Sequence, residues 1–374
     1  MGWRRWLILA AALVATFAAP ARAELVVGVT LSLSGPAAPV GRAQQRVVDH
    51  LPRQLAGQPV RYVVRDDGSE PANAAVLAAA LVTQEGADLV IGSTTVAATL
   101  AMAPVLAAHG VALVTPAAVA PDGLDPASAR WLFRTAPDLR LMANAVVAHM
   151  HGAGVRRVAF IGPANAYGAG WWQLFEPLAG VRGIQVVADA WPGREAGAHA
   201  RAAARVHAAK PEAVLVAEAG QGAVDMLAAL RQAGFTGAAY LTHAVAIEGF
   251  AERCGPPCEG AVLPATPAWL AALPEAPAAA RQAAAALGRT AVTSFEGGVW
   301  DAGRLLAQAL PRAAAAGSPG SPAFRQALRD AIETAPPVAG ANGIYRFSGR
   351  DHAGLDQRAV MMGRLRQGRW EAAR

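Results

Sequence analysis

Residues 89–121 read LVIGSTTVAATLAMAPVLAAHGVALVTPAAVAP. Leu89 to Ile91 form a short apolar run that stops at Gly92. Ser93, Thr94 and Thr95 then stand in front of an apolar-periodic helix that ends near His109 and Gly110. A second short strand, residues 111–115, opens into Pro116, Ala117 and Ala118, a turn of small residues. Strand, helix and strand in this order, with a helix long enough to cross over, predict a parallel βαβ unit. The turn at residues 93–95 puts hydroxyls and unpaired N–H groups at a helix N-terminus, where an anionic or carbonyl group can be held without a cationic side chain. The same residues also serve as an ordinary N-cap, and both readings stay open at this point. In open α/β sheets ligands bind beyond the carboxyl ends of the strands, so two adjacent small-residue turns mark a candidate binding edge.

The same alternation runs outward in both directions. Before this stretch come strand 25–31, helix 41–55, strand 60–65, the acidic turn Asp66–Asp67 and helix 72–85. Residues 122–136 read as a connecting segment. The pattern then restarts with helix 141–151, strand 155–162, helix 171–179, strand 185–190, helix 197–209, strand 213–217, helix 223–233 and strands 239–242 and 260–263. These repeats predict a second α/β lobe of similar build. Residues 266–337 are mostly helical, with a long apolar-periodic segment at 295–315, and are expected to pack back on the first lobe. The close, 343–347 and 358–365, reads as a hairpin with a long loop.

With 374 residues the chain exceeds one typical domain. Residues 1–23 carry Arg4 and Arg5, an apolar run from Trp6 to Ala19 and the small-x-small site Ala21-Arg22-Ala23, the pattern of a cleaved secretory signal. The mature protein is then expected to begin near Glu24 and to be periplasmic, without membrane insertion after cleavage. Removing three arginines from 33 basic residues leaves 30 against 27 acidic ones, a net charge of +3. That is too little for a nucleic-acid surface, and Lys210 is the only lysine. Cys254 and Cys258 flank a Gly-Pro-Pro turn in an exported chain, which favours a local disulfide. A metal site would need further ligands, and no His lies next to them; neither a metal nor a cofactor is expected.

Several features have competing readings. His149 and His151 have the wrong spacing for joint ligation from one helix face and read as partners of the helix C-terminal dipole. Trp171 and Trp172 cannot share one face, so one is expected in the core and the other at the cleft or a partner. Gly220-Gln221-Gly222 follows a strand but lacks the third glycine of a dinucleotide turn. No nucleophile elbow or Walker loop appears, so an enzyme is not expected, and a secreted α/β hydrolase is the remote alternative.

Ser34-Gly35-Pro36, Asp66-Asp67 with Pro71, Gly92 through Pro116-Ala117-Ala118, Arg134-Thr135-Ala136-Pro137, Tyr167-Gly168 and Asp301-Ala302 occur in this order across nearly the whole mature chain. Together they make the chain resemble the type I periplasmic solute-binding proteins of branched-chain amino acid ABC transporters. The resemblance implies two Rossmann-like α/β lobes with parallel sheets joined by a hinge: residues 24–138 with 266–336, and 139–265 with 337–374. It implies a monomer that traps a small solute (an amino acid, amide or small carboxylate) and delivers it to ABC permease and ATPase subunits; a ligand-sensing receptor of the same fold is the alternative. In the family a Ser and a Thr hold the ligand carboxylate, and here those positions are Val96 and Val119. Ser93, Thr94, Thr95, Ala117 and Ala118 remain as lobe-one lining. The family's acidic residue for the ligand ammonium falls near Ala244, after Thr242 and His243. Glu218 is the nearest acid that could replace it, against a reading as a solvated loop acid, and Asp138, one residue from the family's usual acidic position, is a second candidate. Tyr167 is expected at the cleft rim, and His243 is weighed between ligand contact and a structural histidine.

Overall fold

The computed structural model describes residues 24–119, 123–193 and 195–373. The export signal at 1–23 and Pro121 lie outside that range. Sequence alternation becomes two twisted sheets, each with helices on both faces. The first has strand order β2-β3-β1-β4-β5-β6, with β1 Leu25–Leu31, β2 Gln54–Leu55, β3 Gln58–Asp66, β4 Leu89–Gly92, β5 Ala112–Thr115 and β6 Leu132–Arg134. All pairs are parallel except the short β2 with β3.

Period-two burial explains the layering. Leu25, Val27, Val29 and Leu31 point to one face and pack with Val299, Leu306, Phe324 and Leu328. Val26 points to the other, among Ala74, Ala78, Leu81, Met102 and Leu106. The helices of this lobe are α1 Ala38–His50, α2 Pro71–Thr83, α3 Val96–Ala108, α4 Pro126–Trp131 and the later pair Ser294–Ala314 and Pro322–Glu333. The long helix starts at a capping box in which Thr293 accepts from the Glu296 N–H while Glu296 accepts from the Thr293 N–H. Its buried stripe returns to β1, as its apolar period requires.

The second sheet runs β15-β14-β11-β10-β9-β7-β8. Its strands are β7 Arg157–Ile161, β8 Gln185–Ala190, β9 Ala213–Val216, β10 Ala238–Leu241, β11 Val262–Ala265, β14 Met361–Arg366 and β15 Arg369–Ala372. From β8 to β11 the pairing is parallel, and the last two strands are antiparallel. Helices Leu139–Gly152 and Ala166–Val181 cover one face, and Ala198–Ala208 and Gly220–Gln232 the other.

Three expectations are corrected. The connector at 122–136 contains α4 and β6, a sixth strand missed because Leu-Phe-Arg is too short to show a period. The closing hairpin does not form: Ile344–Tyr345 pairs with Val338–Ala339, and Met361–Arg366 pairs with β11 and Arg369–Ala372. The lobe boundary at 337 also moves, since Val338 and Tyr345 are buried in the first sheet's core with Phe347 and Leu355 against it. Likewise Trp269 and Leu270 pack on the second sheet, past 266. The chain therefore leaves the first sheet after Arg134, returns between Ala265 and Ser294, and leaves again between Leu355 and Met361.

Asp301 holds the last return in place. Its carboxylate accepts from the Ala341 N–H at 2.5 Å, the Asn342 N–H at 2.9 Å and the Tyr345 hydroxyl at 2.7 Å. Tyr345 Oη also reaches the Thr135 carbonyl at 2.9 Å, tying the segment to the first crossover.

Candidate functional site

Each sheet has one place where the strand order reverses, between β1 and β4 in the first lobe and between β7 and β9 in the second. The crevice outside the carboxyl ends of those strands is where an α/β sheet receives a ligand.

In the first lobe that edge is chemically closed. Ser32 follows β1, Asp67 follows β3 and Ser93 follows β4. Asp67 accepts from Ser32 Oγ at 2.7 Å, from Ser93 Oγ at 2.5 Å and from the Ser69 N–H at 2.9 Å. Thr94 donates to Gln44 Oε1 at 2.7 Å and accepts from the Ser32 N–H. Ser93 and Thr94 are buried, at 0% and 6% exposure, and both hydroxyl protons are used inside the lobe. Gly92, at φ +139°, lets the chain turn here, because a Cβ would lie 2.1 Å from the Thr30 carbonyl oxygen.

Thr95 is the N-cap of the Val96–Ala108 helix and accepts from the Ala98 N–H at 3.2 Å. Val96 is exposed on the first turn, Ala117 and Val119 are buried, and Ala118 is exposed. The Ser93 and Ala117 N–H groups go to Thr99 Oγ1 and Thr115 Oγ1. Among the described residues, the Thr95 and Ala118 N–H groups have no acceptor. The first-lobe edge thus presents backbone donors and small apolar surface, with its acidic and hydroxyl groups turned inward.

Asp138 stands at the first crossover. It caps the Leu139–Gly152 helix through the Arg140 N–H at 2.6 Å and accepts from Arg134 Nη2 at 3.2 Å. Arg134, itself buried, also donates to the Val119 carbonyl at 2.5 Å. Both carboxylate oxygens are engaged, which is the capping role the residue type predicts.

The second-lobe edge is different. Tyr167 enters the Ala166–Val181 helix behind the Asn165 cap, and its hydroxyl meets Thr242 Oγ1 at 2.8 Å. Burial pushes the phenol up to about 12, so it stays neutral. Trp171 is fully buried; Trp172 packs edge-on against Phe160 and Trp191. His243 lies past β10 with Nδ1 buried and unpartnered, and burial lowers its pKa to about 4, which keeps the ring neutral. His149 is bonded to Tyr240 Oη at 2.9 Å and is structural.

Glu218 follows β9 and is 6% exposed. Its Oε2 lies 3.2 Å from His199 Nε2, while Oε1 is buried with no partner. Burial, opposed by His199, holds the carboxyl above its usual range. Gly222 makes the room, since a Cβ there would sit 2.4 Å from Glu218 Oε2. Glu218, Tyr167 and His199 share one recess of about 890 Å³, walled by the turns after β7, β8 and β9. The structure therefore brings Tyr167 and Glu218 together, with Thr242 bonded to Tyr167, while the His243 ring lies near the buried Trp171. It leaves Asp138, Ser93 and Thr94 engaged elsewhere. His199's place opposite Glu218 and the bonding of Asp67 to Ser32 and Ser93 were not legible in the sequence, because each depends on strands distant in sequence meeting at one edge. Among the described residues no cluster suited to a metal ion occurs, and no helix is long and apolar enough to cross a membrane.

Residues 24–369 match the family described as periplasmic binding protein. Over 191 residues the chain is 32% identical to the Leu/Ile/Val-binding protein BraC3 of Rhizobium johnstonii, covering 49% of this chain and 52% of that one. It is 30% identical over 181 residues to the Leu/Ile/Val-binding protein homolog 3 of Brucella melitensis, covering 46% and 48%. The chain thus matches about half the length of these curated relatives. An extracellular ligand-binding receptor from Rhodopseudomonas palustris superposes with a TM-score of 0.81 at 32% identity, covering 94% of this chain and 100% of that one. Two α/β lobes with a ligand crevice at each strand-order reversal, and a family match along nearly all of the described chain, agree: it belongs to the type I periplasmic binding proteins, with the Leu/Ile/Val-binding branch among its relatives, and is a solute-binding protein rather than an enzyme.

Proposed function

We propose that this chain is the extracytoplasmic substrate-binding subunit of an ABC importer, a monomer exported by its N-terminal signal and cleaved near Ala23. It traps one small solute, an amino acid, amide or small carboxylate, between the lobes bounded by the crossovers at Arg134, Ala265 and Leu355. The closed state gains contacts from both lobes that the open state lacks, and membrane permease and ATPase subunits respond to the closed form. The observation that carries this reading is the asymmetric pair of edges: backbone donors at Thr95 and Ala118 on one lobe, and Tyr167 with an incompletely bonded Glu218 on the other. In the oxidising periplasm Cys254 and Cys258, whose Cα atoms are 5.8 Å apart, form a disulfide.

Mature protein, unfolded and refolded to strip carried ligand, is expected to gain thermal stability with one member of an amino acid, amide and carboxylate panel, because a ligand that binds only the folded state raises the midpoint. No shift with any member overturns the reading. A sensing receptor is the second reading, supported by the Rhodopseudomonas relatives, which are described as extracellular ligand-binding receptors. Uptake of the identified ligand by cells carrying the neighbouring permease genes, lost on deletion of this chain, separates transport from sensing.

A further inference from the structure

We propose that the cavity beside β6 is a second binding site, one for a small organic anion with an apolar body, independent of the solute held between the lobes. β6 is the edge strand of the first sheet, and residues 349–353 lie along it, with the Arg134 N–H donating to the His352 carbonyl at 2.9 Å. Between this cover, α4 and the end of the Pro322–Glu333 helix is a cavity of about 570 Å³, a size that takes a small organic molecule. Of the first-lobe ligand edge it takes in Val119 alone. Thr95, Ala118, Tyr167 and Glu218 are not among its walls.

The charges inside are already paired. Arg329 donates to the Glu333 carboxylate through Nη1 at 3.0 Å and Nη2 at 2.5 Å, and its Nε–H goes to the Arg130 carbonyl. Glu333 also meets His352 Nε2 at 3.0 Å. Arg134 is held by the Val119 carbonyl and Asp138. A further charge placed deep among these groups would be desolvated without a free partner. Val119, Leu124 and Leu132 offer the same space to an apolar body.

The rim is different. Arg130 and Arg350 line the cavity and are both exposed, and among the described residues neither guanidinium has a hydrogen bond or an ion pair. Asp330 feels the charge of Arg130, but its oxygens are bonded to Arg329 and Gln326. Asp351 turns Oδ1 to the Ala353 and Gly354 N–H groups. Four arginines line the cavity against Glu333 and Asp351. The arginines stay in excess even when Asp122, which lies outside the described residues, is counted as a third acid. A carboxylate or sulfonate at the rim gives a guanidinium fork two charge-assisted hydrogen bonds while its body fills the apolar space behind. A neutral ligand of the same shape leaves both forks unmet, and an ammonium meets like charge.

The test uses the mature protein and the photoreactive anion 4-benzoylbenzoate, with 4-benzoylbenzamide as its neutral match. Irradiation followed by peptide mass spectrometry is expected to place adducts within residues 124–134 or 349–353, with the amide labelling them at least about fivefold less. The concentration for half-maximal labelling of those segments is expected to rise about tenfold in Arg130→Gln/Arg350→Gln, checked for folding by circular dichroism. It is expected to stay within about twofold of wild type in Arg366→Gln/Arg369→Gln, which removes the same charge from exposed positions on the second sheet. The inference is overturned if no adduct forms in those segments, if the amide labels them as well as the anion, or if Arg130→Gln/Arg350→Gln shifts half-maximal labelling less than twofold. Adducts confined to the crevice between the lobes overturn it as well and leave the solute-binding reading standing.

Discussion

The two lobes share a sheet topology at their ligand edges and differ in how those edges treat buried polar groups. At the first, Asp67 is fully buried and every oxygen is used: two serine hydroxyls and one N–H converge on it from three different turns. At the second, Glu218 is almost as buried and half used. A completed network sets the shape of the turns that carry it, whereas an incomplete one commits its carboxylate less to the fold. Burial alone therefore does not separate the two acids; the count of bonded oxygens does.

The sharpest way to break this contrast is to remove the completed carboxylate. Asp67→Ala leaves the Ser32 and Ser93 hydroxyls and the Ser69 N–H without their acceptor, two of them fully buried. Urea unfolding is expected to show a loss of about 3–5 kcal/mol. A loss under 1 kcal/mol would mean that the first edge is no more committed than the second.

A second contrast concerns protons. Asp301, under the first sheet, is pushed up to about 6 by burial from an ordinary 3.8. Its folded pKa is raised, so its stabilising contribution is full below pH 3.8 and is lost as pH rises through about 6. His243, at the second edge, is pushed down to about 4 from 6.5. Its folded pKa is depressed, so its contribution is full above pH 6.5 and is lost as pH falls through about 4. Each shift corresponds to roughly 3 kcal/mol and the two have opposite slopes over the same window. Asp301→Asn is expected to be less stable throughout and to make stability rise more steeply from pH 4 to 6. His243→Gln is expected to tilt the profile the other way. Unfolding midpoints across that range, with parallel profiles for wild type and both variants, would refute the pairing.

Much of the fold was legible because its signals are local. Leu25–Leu31, Gln185–Ala190 and the helix start behind Thr95 declare themselves through an apolar run or a cap within a few residues. What escaped was non-local. Leu132–Arg134 is a strand only because β5 lies beside it, and the chain end joins the second sheet only because β11 offers a free edge. The site divides the same way. Tyr167 was read from the Tyr-Gly resemblance and Glu218 from its place after a strand, and both line one recess, while His199 was missed because it meets Glu218 across two turns. Ser93 and Thr94 looked available because sequence does not show that Asp67 and Gln44 claim their protons.

A smaller effect is expected from the cysteines. Bridging Cys254 to Cys258 closes a ring of a few residues, for which chain entropy gives about 2 kcal/mol. Replacing both by serine is expected to lower stability by that amount or less and to leave ligand affinity unchanged, because the pair lies away from the recess lined by Glu218. A change in affinity on reduction would place the pair in the binding mechanism.

The smallest expected effect on folding is at Glu218 itself, and it completes the comparison with Asp67. Glu218→Gln removes a carboxylate whose burial is unfavourable and whose Oε1 has no donor to lose. The charge-assisted contact with His199 is exchanged for a neutral one, so the two changes oppose each other. Ligand-free stability is expected to change by less than about 1 kcal/mol in either direction. The same substitution is expected to weaken binding of the solute identified in the thermal-shift panel. Stability retained and recognition lost at Glu218, against stability lost at Asp67, is the pattern that separates a binding edge from a scaffold edge. If Glu218→Gln unfolds as readily as Asp67→Ala, the unpartnered oxygen is a structural feature and the distinction between the lobes collapses.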